Sequence, residues 1–304
     1  MSMTMLEIVQ AATGEMGLAV PSSVAGNTSA DVVQLLALLN SLGRSLQQEH
    51  DWQKLIVQYR FYTAYLQTTG NTTDGSAVVS SIPDTTGLDT TYQAIGEGIP
   101  QDCFIVSVDS STQVTLNQPV QASQTAGEIF FCQMAYDWPA DYDRQIDRTQ
   151  WDKSKHWEML GPETSQEWQW LVSGYISTGP RIRWRQLDGK FQIWPAVTSN
   201  EYLGLEYVSK NWARSAAGTG KYTLTANDDT TIFSDQLMIV GLKMRYFDVK
   251  GFDASGFTVE FARLLNIAKA AEVSGRTLSF APTVSNVLIT PQNIPDSGFG
   301  QPFQ

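Results

Sequence analysis

Two pairs of neighbouring carboxylates, Asp141 with Asp143 and Asp228 with Asp229, could do chemistry, since an acid beside a base is what glycoside hydrolysis needs. Such pairs recur throughout an acidic chain, so they specify no glycosidase. His50 stands next to Asp51, but the pair ends a helical pattern, where an imidazole suits the negative end of the helix dipole. The run GTGK at Gly218 to Lys221 lacks the upstream glycine spacing and the following Ser/Thr of a phosphate-binding loop, and reads as a hairpin turn before YTLTA. No GxSxG, HExxH or Rossmann glycine fingerprint is present. Cys103 and Cys132 lie 29 positions apart in strand-like sequence, with no CxxC and only His50 and His156 as further soft ligands. They read as buried thiols. The sequence therefore predicts no catalytic residue, no cofactor-binding residue and no metal ligand set.

Aromatic and basic residues are the next candidates. Eight of the nine Trp fall between Trp138 and Trp212. An exposed indole can stack on a sugar ring; equally, Trp151, Trp157, Trp168, Trp170, Trp184 and Trp194 are each flanked by charged or capping residues, and Trp is favoured in subunit interfaces. In the run RIRWRQL the strand period of two puts Arg181, Arg183 and Arg185 on one face, with Ile182 and Trp184 between them. That face is a solvated surface, a contact stripe for an acidic neighbouring subunit, or a nucleic-acid contact. The net charge of −11 disfavours the last, because phosphate binding needs clustered Lys and Arg.

These residues must be positioned by a mixed α+β fold. Met5, Val9, Ala12 and Met16 recur at helical spacing before Gly17, and a second helix follows from Ser29 with Val32, Leu35, Leu36, Leu39, Leu42 and Leu46 as its stripe. The two are expected to pack as a helical hairpin. LIVQYRFYTAYL reads as strand. A short helix is expected from Thr164 to Val172, opened by a capping Thr and an early Glu. RIRWRQL, Asp188-Gly189 and KFQIWP form a hairpin signal, followed by the strand EYLGLEYVS. Two more helices are expected, from Ser234 to about Lys250 and from Gly256 to about Gly275. In the first, Leu237, Val240, Met244 and Phe247 share one side, and in the second Phe257, Phe261, Leu264, Leu265 and Ala268 form the apolar stripe.

Composition divides the chain further. At 42% hydrophobic content, 304 residues can bury a substantial core. No apolar run is long enough to span a bilayer, and MSMTMLEIVQ lacks the basic and apolar regions of a signal peptide, so a cytosolic site of synthesis without membrane association is expected. Residues 68–127 contain no Lys or Arg and six acidic residues, between short β-like runs rich in Thr, Ser and Gly. This reads as a small all-β module inserted between two pairing strands of a parent domain made of residues 1–67 and 128–276. Residues 277–304 carry four prolines and one charge, Asp296, which excludes a helix. Phe280, Val287, Leu288, Ile289, Ile294, Phe299 and Phe303 make this a tail expected to dock in extended form.

The runs MTMLEIVQAATGEMGLAVPSSVAGNTSADVVQLLALLNSLGRSL, DWPADYDRQIDRTQWDKSKHWEMLGPETSQEWQWL, GPRIRWRQLDGKFQIWPA and LGLEYVSKNW resemble the podovirus-type head-to-tail adaptor proteins, over residues 3–67 and 128–276. GNTTDGSAVVSSIPDTTGL and GEGIPQDCFIVSVDSSTQVTLNQP resemble a β module of many phage structural proteins. The resemblance implies a non-enzymatic virion protein of the neck, assembled in the host cytoplasm. Its copies would form a ring, typically of twelve, beneath the portal protein and above the tail tube or nozzle, with tail fibres as further neighbours. DNA would pass through the lumen without specific binding. It also implies that the tail containing Phe280, Leu288, Ile289, Ile294, Phe299 and Phe303 reaches the portal. Arg181, Arg183, Arg185 and Trp184 are the candidates for contacts between copies. The competing expectation, from the Trp cluster and the Ser/Thr-rich module, is a carbohydrate- or receptor-binding tail component.

Overall fold

The structure is a computed structural model that describes residues 2–173 and 181–272. In chain order the elements begin α1 (Met5–Glu15), α2 (Ala30–Glu49), β1 (Ile56–Tyr62), β2 (Tyr65–Thr72), β3 (Val78–Val79), β4 (Tyr92–Gly96), β5 (Ile105–Ser110), β6 (Gln113–Leu116) and β7 (Gln124–Gln133). There follow β8 (Ala135–Asp137), β9 (Tyr142–Gln145), β10 (Trp151–Asp152), β11 (Trp157–Glu158), α3 (Ser165–Val172), β12 (Arg183–Leu187), β13 (Lys190–Trp194) and β14 (Tyr202–Ser209). The last are β15 (Ala213–Arg214), β16 (Gly220–Lys221), β17 (Thr230–Thr231), α4 (Asp235–Lys250) and α5 (Ser255–Glu272). The fold is α+β, with many antiparallel strand pairs. The tail, 277–304, and the expected stop at Gly275 lie outside the described residues.

The chain forms two compact units. The first holds 2–57, Ala140–Gln145 and 207–272; the second holds Gln58–Pro139 and Ile146–Glu206.

In the first unit α4 is the central element. Leu237, Met238, Ile239, Val240, Gly241, Leu242, Lys243 and Tyr246 are all buried, so it presents apolar surface all round and not only on the expected side. Helices α1, α2 and α5 each pack against it. The expected α1–α2 hairpin is thereby corrected: the two apolar stripes are buried mainly on α4, whose several faces accept both. Local chemistry sets the helix ends. Thr4 caps α1 through a reciprocal capping box with Glu7, and Gly251 closes α4 in the left-handed conformation that glycine adopts without strain. Gly43 matters for packing, because a Cβ there would sit 2.3 Å from the Trp212 ring. Its absence lets that fully buried indole lie directly on α2.

In the second unit β2–β7–β4 and β3–β6–β5 form two three-stranded sheets. Ala94, Ile129 and Phe131 from the first and Val79, Ile105, Val114 and Leu116 from the second share one core, as in a small β-sandwich. Strand β2 pairs with β7 from Tyr65↔Cys132 to Thr72↔Gln124, joining the two ends of the acidic segment. The β-rich segment is one compact body with residues 146–206, which include the hairpin and α3. LIVQYRFYTAYL divides into β1 and β2, with Thr63 and Ala64 between them. The expected hairpin is β12–β13, with Leu187↔Lys190 closing on Asp188 and Gly189, both at positive φ as the two-residue turn requires. In GTGK, Gly218 and Thr219 belong to the turn after β15 while Gly220 and Lys221 form β16, but no strand follows in YTLTA, where the Asp229 carboxylate instead accepts from the Thr225 and Ala226 backbone N–H groups.

Candidate interaction surfaces

The carboxylate pairs that opened the sequence reading serve the fold. Asp141 accepts from Tyr207 Oη and Ser209 Oγ, each at 2.7 Å, while Asp143 accepts from Gln47 Nε2 at 3.0 Å and Arg144 Nη1 at 2.6 Å. Asp229 is buried and takes Lys221 Nζ at 2.5 Å besides its two backbone donors. Those hydrogen bonds hold its carboxyl below the usual range despite burial, which is the largest influence and acts the other way. His50 caps the end of α2 and meets Trp52 edge-on at 5.3 Å. Cys103 and Cys132 are buried free thiols; burial pushes Cys132 up to about 11. Among the described residues no group of three or more His, Cys, Asp or Glu side chains could hold a metal ion, and no helix is long and apolar enough to cross a membrane.

A carboxyl pair that spacing could not reveal is Asp152 with Glu201, 49 positions apart and both buried. β10 pairs with β14 through Asp152↔Leu203, bringing the two groups together. The Asp152 carboxyl is raised to about 6 by burial first and by its contact with Glu201 second. Lys155 Nζ donates to the Glu201 carboxylate, and Asp152 Oδ1 accepts from the N–H groups of Ser154 and Lys155 at 2.9 and 3.1 Å. Nothing in the spacing of the two residues names them as partners, since strand register alone joins them.

The arginine face forms as the strand period predicts, but within the chain it already has partners. Arg183 Nη1 donates to Glu163 Oε1 at 2.6 Å; Arg185 Nε donates to Gln192 Oε1 at 2.8 Å, and its guanidinium carbon lies 4.2 Å from the Trp168 ring centroid. Arg181 stands half-buried just before β12. Trp184, expected at an interface, is fully buried and stacks on Phe191 at 5.4 Å, because the residue between two outward arginines must point inward. As an interface residue it is corrected to a core residue of its own unit. Within the Trp cluster Trp168, Trp184, Trp194 and Trp212 are buried, whereas Trp151 and Trp170 are exposed. Phe280, Leu288, Ile289, Ile294, Phe299 and Phe303 lie outside the described residues.

A surface missed in the sequence is the outer side of α5. No residue of this 18-residue helix is buried. Its inner side is anchored: Phe257 meets Phe247 at 5.1 Å, Lys269 Nζ donates to Glu49 Oε1 at 2.8 Å, and Glu272 accepts from the Gln53 N–H at 2.7 Å. The exposed positions are Ser255, Gly256, Thr258, Val259, Ala262, Arg263, Asn266, Ile267, Ala270 and Ala271, of which only Arg263 is charged. Val259 is 73% and Ile267 54% exposed, and Phe252, just ahead of the helix, is 61% exposed. Solvated helix faces normally carry charges. The signal was present as apolar residues outside the Phe257, Phe261, Leu264, Leu265 and Ala268 stripe, but a wide stripe reads equally as deeper burial.

No family model matches the chain, and no curated protein matches it in sequence.

Proposed function

We propose that this chain is a structural, non-catalytic head-to-tail adaptor of a tailed bacteriophage, one copy in a ring of twelve that sits under the portal, joins it to the tail and lines the DNA channel. The observation that carries this reading is the outer face of α5, where Arg263 is the single charged residue among ten exposed positions. A helix that leaves Val259 and Ile267 in water on one side while pinned on the other is suited to burial against a further surface. In a ring every copy must offer one face to a different face of the next, and an 18-residue helix side is a suitable half of such a contact. The charge of −11 suits a channel wall that DNA slides past, since clustered cations would retain phosphate. The adaptor resemblance of residues 3–67 and 128–276 supports the same assignment.

The test is the mass of the complex that the full chain forms on its portal ring. Twelve copies per portal are expected, and Val259→Asp with Ile267→Asp is expected to abolish the assembly while leaving the helical circular dichroism of the single chain unchanged. Unaltered assembly by the double variant would remove α5 as the ring contact, and a complex of one or two copies would sink the adaptor reading.

A further inference from the structure

The second unit contains a cavity of about 400 Å3 that the adaptor role does not use. Its size falls in the range of small-molecule sites, about 300–1,000 Å3. Its apolar side is built from Phe104, Trp168 and Trp194, part of a cluster with Met134 and Leu171 that fixes their positions. Four charged residues line it: Asp102 and Arg185, Lys190, and Asp188, which is exposed in the β12–β13 turn. The Arg185 guanidinium is stacked on Trp168 and tied through Nε to Gln192, and among the described residues neither Nη group makes a hydrogen bond. The Asp102 carboxylate likewise accepts no hydrogen bond among the described residues, and its loop is held by Asn117 and Gln118 side chains donating to the Asp102 carbonyl at 3.3 and 3.2 Å. Asp102 and Arg185 sense each other's charge yet form no ion pair. Burial raises the Asp102 carboxyl and Arg185 lowers it again.

Such a gap calls for a ligand that donates to a carboxylate and accepts from a guanidinium with the same few atoms. Hydroxyl groups do both. An anionic ligand would meet Asp102, and a cationic one would meet Arg185; Lys190, at the rim, is already paired with Asp137. The half-buried Phe104 ring offers apolar surface to the C–H face of a sugar ring. We propose that this cavity binds a neutral, hydroxyl-rich carbohydrate whose hydroxyls bridge Asp102 and Arg185. The site goes beyond the adaptor reading and does not depend on ring formation.

Saturation-transfer NMR on the full chain tests this with glucose, galactose, N-acetylglucosamine and their β1,4-linked dimers as probes, and sialic acid and glucosamine as charged controls. At least one neutral sugar is expected to receive saturation. Asp102→Asn, which tolerates the positive φ at that position, and Arg185→Gln are each expected to weaken binding about tenfold, the loss of one charge-assisted hydrogen bond. Trp170→Ala, which removes an exposed indole that does not line the cavity, is expected to leave binding unchanged. The proposal is overturned by silence from every neutral sugar at millimolar concentration, by binding that survives both cavity variants, by loss of binding in Trp170→Ala, or by a preference for either charged control. None of these results bears on portal assembly, so the two readings fail separately.

Discussion

Asp152 shows how a buried carboxyl stores pH dependence. Its folded value of about 6 lies above the ordinary 3.8, so the folded chain holds a proton that the unfolded chain releases. Its contribution is fully present below the ordinary value and is lost as the pH rises through about 6. Asparagine would keep the acceptor for the Ser154 and Lys155 N–H groups and would supply, through Nδ2, a permanent donor toward Glu201. Asp152→Asn is therefore expected to match the wild type at pH 4 and to melt higher by roughly 2–4 °C at pH 7. Thermal melts across that range check it, and a difference that does not grow with pH would refute the shared proton. Gly43 makes a second case at this scale. Alanine is the better helix former, yet its Cβ would meet the Trp212 ring at 2.3 Å. Gly43→Ala should destabilise by about 1–3 kcal/mol in chemical denaturation, the range for an overpacked core.

At the scale of elements, local signals were legible and partnerships were not. The Thr164 cap with Glu167, the Asp188-Gly189 turn and the Gly251 stop each depend on residues within a few positions, and each stands where the sequence places it. Removing the first should be measurable: Thr164→Ala is expected to cost about 1 kcal/mol in chemical denaturation. A loss near zero would mean that the packing of Trp168 and Leu171 alone holds α3. What spacing could not show was which surface each stripe would meet. The leucines of α2 mark a buried face equally well for a partner α1 or a partner α4, and only the all-round burial of α4 decides. The same holds for the candidate sites. Alternation put Arg183 and Arg185 on one face, but Glu163 and Trp168, which occupy them, come from other parts of the chain. Asp152 and Glu201 are joined by strand register, and Asp102 and Arg185 by the packing of one unit, so neither pair is visible in a linear reading.

At the scale of the whole molecule, charge and apolar surface are distributed unevenly along the chain, and the adaptor reading assigns that unevenness a use. Residues 68–127 contribute six of the negative charges without one positive charge, whereas residues 277–304 have a single charge, Asp296, among their apolar residues and four prolines. The first composition favours a solvated surface; the second favours contact with another protein, because extended apolar chain lowers its free energy by covering surface that is already there. Truncation after Gly275 tests that use directly. Because every core residue among the described residues lies before that point, the shortened chain should retain the thermal transition and secondary structure of the full chain. It should nevertheless fail to associate with the portal ring in a sedimentation assay. Restoring the tail with Leu288 and Ile289 replaced by Ser should leave association impaired, since the same backbone would return without its apolar contacts. Normal binding by the truncated chain would move the portal contact off residues 277–304 and onto the described surfaces, of which the outer side of α5 would then be the first to examine.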